Sequence, residues 1–255
     1  MSATMSNPAA AKSAAKPGSD RIFNFSAGPG CLPDEVLKQA QQDLWNIDGS
    51  GIGILEHSHR GRVFDRVLAE VEADVREVGK TPANYKILFL TGGASTQNFM
   101  IPANLLPVGG TADYINSGYW AEKSIEEVKY YGTVHLAGSS KDKNHSFIPA
   151  QNELKFSASP AYLHYTSNNT IFGTEYHYTP AAPANVPLVC DASSDIYSRP
   201  IDISKFGLIY AGAQKNMGAA GTTVLWVRDD VIERANKIGL ERNLPTMLRF
   251  GVHAK

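Results

Sequence analysis

The sequence predicts an α/β fold with a mainly parallel, mixed sheet and helices on both faces. Strand-sized apolar runs alternate along the chain with segments of helical period, which is typical of a parallel sheet covered by helices. The links between the last three predicted strands are too short for ordinary helical crossovers, so one of these strands should run antiparallel to its neighbours. A length of 255 residues is enough for one large domain of this kind.

Composition excludes several classes of protein. Apolar residues make up 43% of the chain and charged residues 19%, which is the balance of an ordinary globular protein. The net charge of −1 argues against binding to nucleic acid or to a membrane surface through bulk charge. No apolar run is long enough to predict a transmembrane helix. The two cysteines, Cys31 and Cys190, form neither a disulfide framework nor a zinc-binding pattern, and no metal site is predicted.

Residues 1–20 are predicted to form a disordered tail, because Ala, Ser, Pro and Lys dominate them. The tail has no apolar segment of the kind that secretory signals contain. Its shortage of acidic residues leaves organellar targeting open, although no arginine precedes Arg21. A cytoplasmic location is therefore expected.

Two amphipathic helices are predicted before the first strand. The first opens at Pro33-Asp34, and the second should end at Gly79 as its C-cap. Apolar residues recur at helical spacing on one face of each: Val36, Leu37, Ala40 and Leu44 on the first, and Val63, Val67, Val71 and Val75 on the second.

Strands and helices then alternate to the end of the chain. Strands are predicted over residues 86–90, 112–115, 133–136, 162–165, 186–190, 208–210 and 223–227. Helices are predicted over residues 96–106 and 121–131, the second closed by Gly132.

Polar or aromatic side chains follow five of these strands. Open α/β sheets bind ligands beyond the carboxyl ends of their strands, so the five loops together predict one binding site. Any one loop, taken alone, is equally consistent with an ordinary turn. The loops are Thr91-Gly92-Gly93-Ala94-Ser95, Asn116-Ser117-Gly118-Tyr119-Trp120, Thr166-Ser167-Asn168-Asn169-Thr170, Asp191-Ala192-Ser193-Ser194 and Ala211-Gly212-Ala213-Gln214-Lys215.

The residue types in these loops match the needs of pyridoxal 5′-phosphate. Lys215 stands among small residues just past a buried strand, where poor hydration favours the neutral amine that attacks a carbonyl to form a Schiff base. Asp191 ends the preceding strand and would keep a pyridine nitrogen protonated. Trp120 offers a flat surface for an aromatic ring, and the small residues around Ala94 lead into a helix N-terminus that favours phosphate. Taken singly, such residues are more commonly a surface lysine, a helix-capping aspartate and a core tryptophan, and the glycine loop is as often a tight turn.

The sequence closely resembles the phosphoserine aminotransferases, which are class V aminotransferases of PLP fold type I. The resemblance extends from Arg21 to the last residue, and its motifs are specific in their order rather than singly. The matching motifs are Asn24-Phe25-Ser26-Ala27-Gly28-Pro29, His57-Ser58-His59-Arg60, Gly92-Gly93-Ala94-Ser95, Asn116-Ser117-Gly118-Tyr119-Trp120, Asn168-Asn169-Thr170-Ile171, Asp191-Ala192-Ser193-Ser194 and Ala211-Gly212-Ala213-Gln214-Lys215-Asn216.

The resemblance implies a role for each residue that matches a family motif. Lys215 would form the covalent bond to the cofactor and shuttle protons, Asp191 would hold the pyridine nitrogen, and Trp120 would stack on the ring. The remaining residues are expected at the cofactor's oxygen and phosphate or at the substrate's carboxylate. Thr170 would lie near the phenolic oxygen, Ala94, Ser95, Ser193 and Gln214 at the phosphate, and His59 and Arg60 at the substrate, with Arg60 binding a carboxylate.

The resemblance also implies the reaction. The family transfers an amino group between L-glutamate and 3-phosphohydroxypyruvate, which gives O-phospho-L-serine and 2-oxoglutarate in serine biosynthesis. Members form homodimers, and many bacterial members also act on 4-phosphohydroxythreonine in pyridoxine synthesis. The sequence leaves that second role open.

The resemblance implies a C-terminal small domain, and most of it is expected to be absent from this sequence. The expected organisation is a tail over residues 1–20, a segment over residues 21–40 that would pack with the small domain, and the large cofactor-binding domain over residues 41–255. The chain is therefore expected to be a fragment. Two alternatives stay open, namely a truncated chain with little activity and another class V enzyme such as a cysteine desulfurase, which would need a reactive cysteine.

Overall fold

The computed structural model describes residues 20–255. All of the predicted N-terminal tail except Asp20 lies outside the described residues. Within them, no helix is both long and apolar enough to cross a membrane.

A seven-stranded mixed sheet forms the centre of the described structure, as predicted. Its strand order is β1-β9-β8-β7-β4-β2-β3. The five strands from β8 to β3 are parallel to their neighbours, and β9 is antiparallel to both β8 and β1. The strands of this sheet are β1 (Tyr85–Thr91), β2 (Thr111–Asn116), β3 (Thr133–Ser139), β4 (Pro160–Thr166), β7 (Leu188–Asp191), β8 (Leu208–Gly212) and β9 (Thr222–Arg228).

The single antiparallel strand has a functional consequence. Because β9 runs against both β8 and β1, strands β1 and β8 point in the same direction as the rest of the sheet. The polar loops that follow β1, β2, β4, β7 and β8 therefore all lie at the same edge of the sheet, where these strands end. The short links near the end of the chain allow this reversal, since β8 and β9 are joined without a helix.

Helices cover both faces of the sheet. One face packs against α3, α4 and α5 in a core that includes Met100, Ile125 and Val231. The other face packs against α2 through Val75 and against the loops around the short turn Ile203–Lys205. The helices are α1 (Asp34–Asn46), α2 (Arg62–Gly79), α3 (Gly93–Leu105), α4 (Tyr119–Val128), α5 (Asp229–Glu241) and α6 (Phe250–His253).

The end of α2 differs from the prediction by one residue. Gly79 is the last helical residue, and Lys80 rather than Gly79 adopts the left-handed conformation of the C-cap. Gly79 is buried, and a Cβ there would lie 3.1 Å from Ile203 Cδ1. The lack of a side chain at Gly79 therefore serves close packing, and the backbone leaves the helix one residue later.

Helix α1 forms where the sequence predicts it, but its apolar face is not covered by the described residues. No residue of α1 is buried, and Leu44 and Trp45 are 51% and 85% exposed. The helix also crosses the predicted boundary at residue 40. The packing of residues 21–40 against a further domain stays a prediction, and the exposed apolar face is consistent with it.

Candidate active site

Loops from five strand ends line one cavity of about 210 Å³. They follow β1, β2, β4, β7 and β8, so the structure brings together the loops that the sequence predicts at one sheet edge. Seven of the ten predicted site residues line this cavity: Ala94, Ser95, Trp120, Asp191, Ser193, Gln214 and Lys215.

Lys215 is half-buried in the loop that follows β8. The N-terminal segment packs against the Lys215 side chain. A Cβ at Gly28 would lie 3.3 Å from Lys215 Cε, and the Gly30 amide donates to the Gln214 carbonyl at 2.5 Å. The motif around Gly28 therefore supports the lysine loop, since a larger residue would push on the lysine side chain. The sequence predicts no such contact.

Asp191 ends β7 with its carboxylate buried. The backbone amide of Ser193 donates to Asp191 Oδ1 at 3.0 Å. Burial raises the pKa of Asp191, while the hydrogen bonds of Ser193, the Tyr210 hydroxyl and the charge of Lys215 act against the rise. A carboxylate that lacks full solvation at a cavity wall is best stabilised by a cation or an N–H donor of a ligand.

Replacing Asp191 by Asn is expected to change how the stability of the cofactor-free chain depends on pH. Because the pKa of Asp191 is raised on folding, the native state holds this proton at pH values where the unfolded chain has released it. The contribution of Asp191 to the free energy of unfolding is thus greatest below its ordinary pKa of 3.8 and falls as the pH rises through the folded value. Asp191→Asn removes this loss, so the variant should gain stability over the parent as the pH rises.

Urea unfolding of both proteins between about pH 4 and about pH 8 measures this difference. Asp195, whose pKa burial also raises, is present in both proteins and cancels in the comparison. Parallel stability profiles for the parent and the variant would show that Asp191 carries no desolvation penalty.

The loop after β1 is built to bring backbone N–H groups close to a ligand. Gly92 and Gly93 have φ values of 92° and 68°, a left-handed region that favours glycine. Helix α3 begins at Gly93, so the amides near Ala94 and Ser95 lie at the N-terminus of a 13-residue helix, beside the cavity. Such a helix start attracts anions, and phosphate in particular.

Trp120 and Thr170 lie at the cavity rim, joined by a hydrogen bond. Trp120 Nε1 donates to Thr170 Oγ1 at 3.3 Å. Trp120 lines the cavity, whereas Thr170 is exposed and is not among the lining residues. Gly118 precedes α4 with a φ of 153°, and a Cβ there would lie 2.6 Å from Asn169 Oδ1. Because Gly118 has no side chain, the start of α4, which carries Trp120, can lie close to Asn169 in the loop after β4.

Substituting Gly118 by Ala is expected to lower the free energy of unfolding by about 1–3 kcal/mol, because the new methyl group meets Asn169 and the backbone conformation is strained. Chemical denaturation measures the loss. Gly109→Ala is the matched control: Gly109 also has a positive φ, of 73°, but a Cβ there has open space. If Gly118→Ala were no more destabilising than Gly109→Ala, the close approach would have no energetic importance.

His59 and Arg60 do not line the cavity. Both are exposed in the loop between the short turn Ile54–Glu56 and α2. The backbone amide of Arg60 donates to Ser58 Oγ at 3.2 Å, which shapes the loop. Their substrate role stays a prediction.

Thr166 and Asn98 also line the cavity, although neither is among the ten predicted site residues; Thr166 begins one of the five predicted loops, and Asn98 lies in none of them. Thr166 ends β4 and is 2% exposed, and its Oγ1 has no hydrogen-bond partner within the described residues. A buried hydroxyl without a partner is costly unless a ligand supplies one. Because Thr166 directly follows a predicted strand, its position in the sequence is a signal that it lies at the site.

Neither cysteine lines this cavity. Cys190 is fully buried, and burial raises the pKa of its thiol well above the ordinary value. Cys31 is exposed in the N-terminal segment, where its Sγ lies 3.9 Å from an Arg21 nitrogen. The structure therefore gives no reactive cysteine at the cavity of the kind that the desulfurase alternative needs.

The chain belongs to the class-V aminotransferase family, since the profile described as "Aminotransferase class-V" matches residues 22–241. A curated protein from Herpetosiphon aurantiacus, named phosphoserine aminotransferase, is 49% identical over 234 residues, which cover 92% of this chain and 63% of that protein. The chain thus spans about 63% of the length of the first curated relatives that it matches.

Solved structures agree with the sequence comparison. The phosphoserine aminotransferase of Bacillus circulans subsp. alkalophilus superposes with a TM-score of 0.86 at 45% identity, over 92% of this chain and 63% of that one. A phosphoserine aminotransferase from Trichomonas vaginalis, described as PLP-bound, superposes with a TM-score of 0.78 at 33% identity, over 92% of this chain and 70% of that one. The predicted fold is confirmed.

Proposed function

We propose that this chain is the large, cofactor-binding part of a phosphoserine aminotransferase. Its reaction would transfer an amino group between L-glutamate and 3-phosphohydroxypyruvate with pyridoxal 5′-phosphate as cofactor. The observation that carries the proposal is the single cavity at which Lys215, Asp191 and Trp120 meet beside the N-terminus of α3. The names of the relatives at close to 50% identity support the choice of substrates.

The cavity fits the proposed cofactor. Lys215 supplies an amine for the cofactor's aldehyde, and Asp191 supplies a buried carboxylate for its pyridinium nitrogen. The Trp120 indole can stack on the ring, and the N-terminus of α3 can bind the phosphate. The buried Thr166 hydroxyl, which has no partner within the described residues, adds a hydrogen-bonding group for a ligand to satisfy. Bound pyridoxal phosphate supplies an electron sink for the electrons of the bond broken at the substrate's α-carbon.

Each cavity residue has a distinct part in the proposed chemistry. Lys215 Nζ would hold the cofactor through a covalent bond and would carry the proton that leaves and returns at the substrate's carbon. Asp191 keeps the pyridine nitrogen protonated, and Ser193 fixes that carboxylate through its backbone amide. Trp120 orients the ring, with Thr170 holding the indole in place.

Phosphate recognition is assigned to the other predicted residues. Ala94 and Ser95 offer backbone amides at the start of α3, and Gln214 and Ser193 flank them across the cavity. The Ser193 hydroxyl accepts a hydrogen bond from the Gly212 amide at 3.0 Å, which ties the loops after β7 and β8 together. His59 and Arg60 are proposed to bind the substrate carboxylate from their exposed loop.

The proposal extends to the assembly and its location. A homodimer is supported by the large apolar side chains that α1 and the nearby loop expose, including Trp45 and Leu55. A cytoplasmic enzyme of serine biosynthesis is the corresponding role. A small domain that packs with residues 21–40 is also proposed, because the curated relatives are longer than the region that this chain matches.

An assay of the purified 255-residue chain tests the proposed function. Addition of pyridoxal phosphate should give a visible absorption band that shifts when glutamate is added, and 3-phosphohydroxypyruvate should then yield phosphoserine. Sulfide release from cysteine, measured in parallel, should stay at background. A band without phosphoserine formation would assign the chain to cofactor binding alone, and the absence of any band would contradict the proposal.

A further inference from the structure

Asn98 is fixed in one orientation by hydroxyl groups behind the cavity. Ser124 Oγ donates to Asn98 Oδ1 at 2.8 Å, and the Tyr210 hydroxyl lies 3.4 Å from the same oxygen. Asn98 stands one helical turn after Ala94 and Ser95, on the same side of α3. Its carbonyl oxygen therefore faces the two hydroxyls, and its amide nitrogen is the polar atom left to face the cavity that Asn98 lines.

A buried histidine fixes the direction of the hydrogen bonds. His164 Nε2 lies 3.1 Å from the Tyr210 hydroxyl, and His164 Nδ1 is buried without a partner among the described residues. A proton on Nδ1 would be a buried donor with no acceptor, which costs more than a bare lone pair. His164 therefore carries its proton on Nε2 and donates to Tyr210, whose single proton is left for one of two acceptors, Asn98 Oδ1 and the Asp191 carboxylate.

The ionisation states of these groups support the same arrangement. Burial lowers the pKa of His164 to about 3, so the imidazole is neutral and has only one proton to donate. Burial raises the pKa of Tyr210 well above its ordinary value, so its hydroxyl remains a donor. In this orientation Asn98 Oδ1 accepts a hydrogen bond from Ser124 Oγ, which also lies 3.4 Å from the Trp120 carbonyl oxygen, and the Asn98 amide nitrogen is left for the cavity.

The geometry points to Asn98 as a further ligand-binding residue of this cavity, whose amide donates a hydrogen bond to the bound cofactor. Ser124 and Tyr210, supported by His164, are positioning residues that hold the amide in that orientation. Within residues 20–255, Asn98 Nδ2 makes no hydrogen bond, and it belongs to a residue that lines the cavity, so a bound ligand can supply its acceptor. This inference rests on the proposed function, because it takes pyridoxal phosphate as the occupant.

The test uses binding rather than turnover. The probe is 4′-deoxypyridoxine 5′-phosphate, a cofactor analogue without the aldehyde, so that its affinity does not depend on a covalent bond to Lys215. Asn98→Leu should weaken binding roughly 5-fold, within the ~2- to ~12-fold range of one hydrogen bond. Asn98→Asp should weaken it further, because a carboxylate there repels an anionic ligand. Asn152→Leu and Asn152→Asp, on an exposed turn away from the cavity, are the matched controls and should bind as the parent does.

Ser124→Ala tests the positioning role. Alone it should weaken binding by a smaller factor than Asn98→Leu, and in the Asn98→Leu background it should cause no further loss, since its effect acts through Asn98. A purely structural effect of Ser124 would instead add to that of Asn98→Leu and would overturn the positioning role. Thermal unfolding of every variant establishes that each one is folded.

The outcomes separate the two proposals. If the parent chain does not bind the analogue, the proposed function fails and the role of Asn98 fails with it. If the parent binds and Asn98→Leu binds equally well while folded, the role of Asn98 alone is overturned. The order parent, Asn98→Leu, Asn98→Asp in falling affinity, with unchanged controls, supports the inference.

Discussion

Lys215→Ala is expected to abolish transamination, with a loss of at least about 10⁴-fold in rate, and to remove the cofactor's visible band. The physical reason is the proposed role of this amine, which would both form the covalent bond to the cofactor and move the proton at carbon. The fold should remain, because Lys215 is only half-buried and lies in a loop after β8. Steady-state assays with glutamate and 3-phosphohydroxypyruvate, together with absorption spectra, measure both effects.

Two further variants separate the chemistry of this amine from its charge. Lys215→Arg keeps a positive charge at the site but cannot form the covalent bond, so it should be as inactive as Lys215→Ala. Lys237→Ala, on the exposed side of α5, should retain full activity. Turnover by Lys215→Arg at a substantial fraction of the parent rate would mean that Lys215 contributes only electrostatics.

Asp191→Asn is expected to reduce turnover by about 10²- to 10³-fold while the cofactor remains bonded to Lys215. An uncharged amide cannot keep the pyridine nitrogen protonated, so the ring accepts electrons less well. The variant should therefore show a cofactor band, unlike the lysine variants. Its loss of activity should appear mainly in the rate constant rather than in substrate affinity.

Asp195→Asn is the matched control for this substitution. Asp195 is also a buried carboxylate whose pKa burial raises, but it hydrogen-bonds Ser167 and lies outside the proposed cofactor cavity. Its replacement should leave the rate within a small factor of the parent's. Equal losses from Asp191→Asn and Asp195→Asn would attribute the effect to disturbed packing rather than to the pyridine nitrogen.

The sequence predicts the sheet edge correctly because the relevant signals are local. Apolar strands ending in small and polar residues identify where the loops lie, and the parallel arrangement then brings Ala94, Trp120, Asp191 and Lys215 together. The antiparallel β9 also follows from a local signal, the short link before it. Boundaries are less well predicted, as the left-handed Lys80 at the end of α2 illustrates.

Other features depend on contacts that no local pattern contains. The packing of Gly28 against Lys215 joins residues that are far apart in the chain. Asn98 lines the cavity from within α3 rather than from a strand-end loop, and only its partners in space make it noteworthy. The short hairpin of β5 (Asn168–Asn169) and β6 (Thr174–Glu175) has too few residues to give a period-two pattern.

Under the proposed function, Lys215 bonds covalently to pyridoxal phosphate in the cavity that Asp191 lines. Borohydride reduction of the cofactor-loaded chain, followed by proteolysis and mass mapping, tests it most directly. We expect one pyridoxyl group per chain, on Lys215. A stable label on a different lysine, or no label after reduction of a chain that shows the visible band, would contradict it.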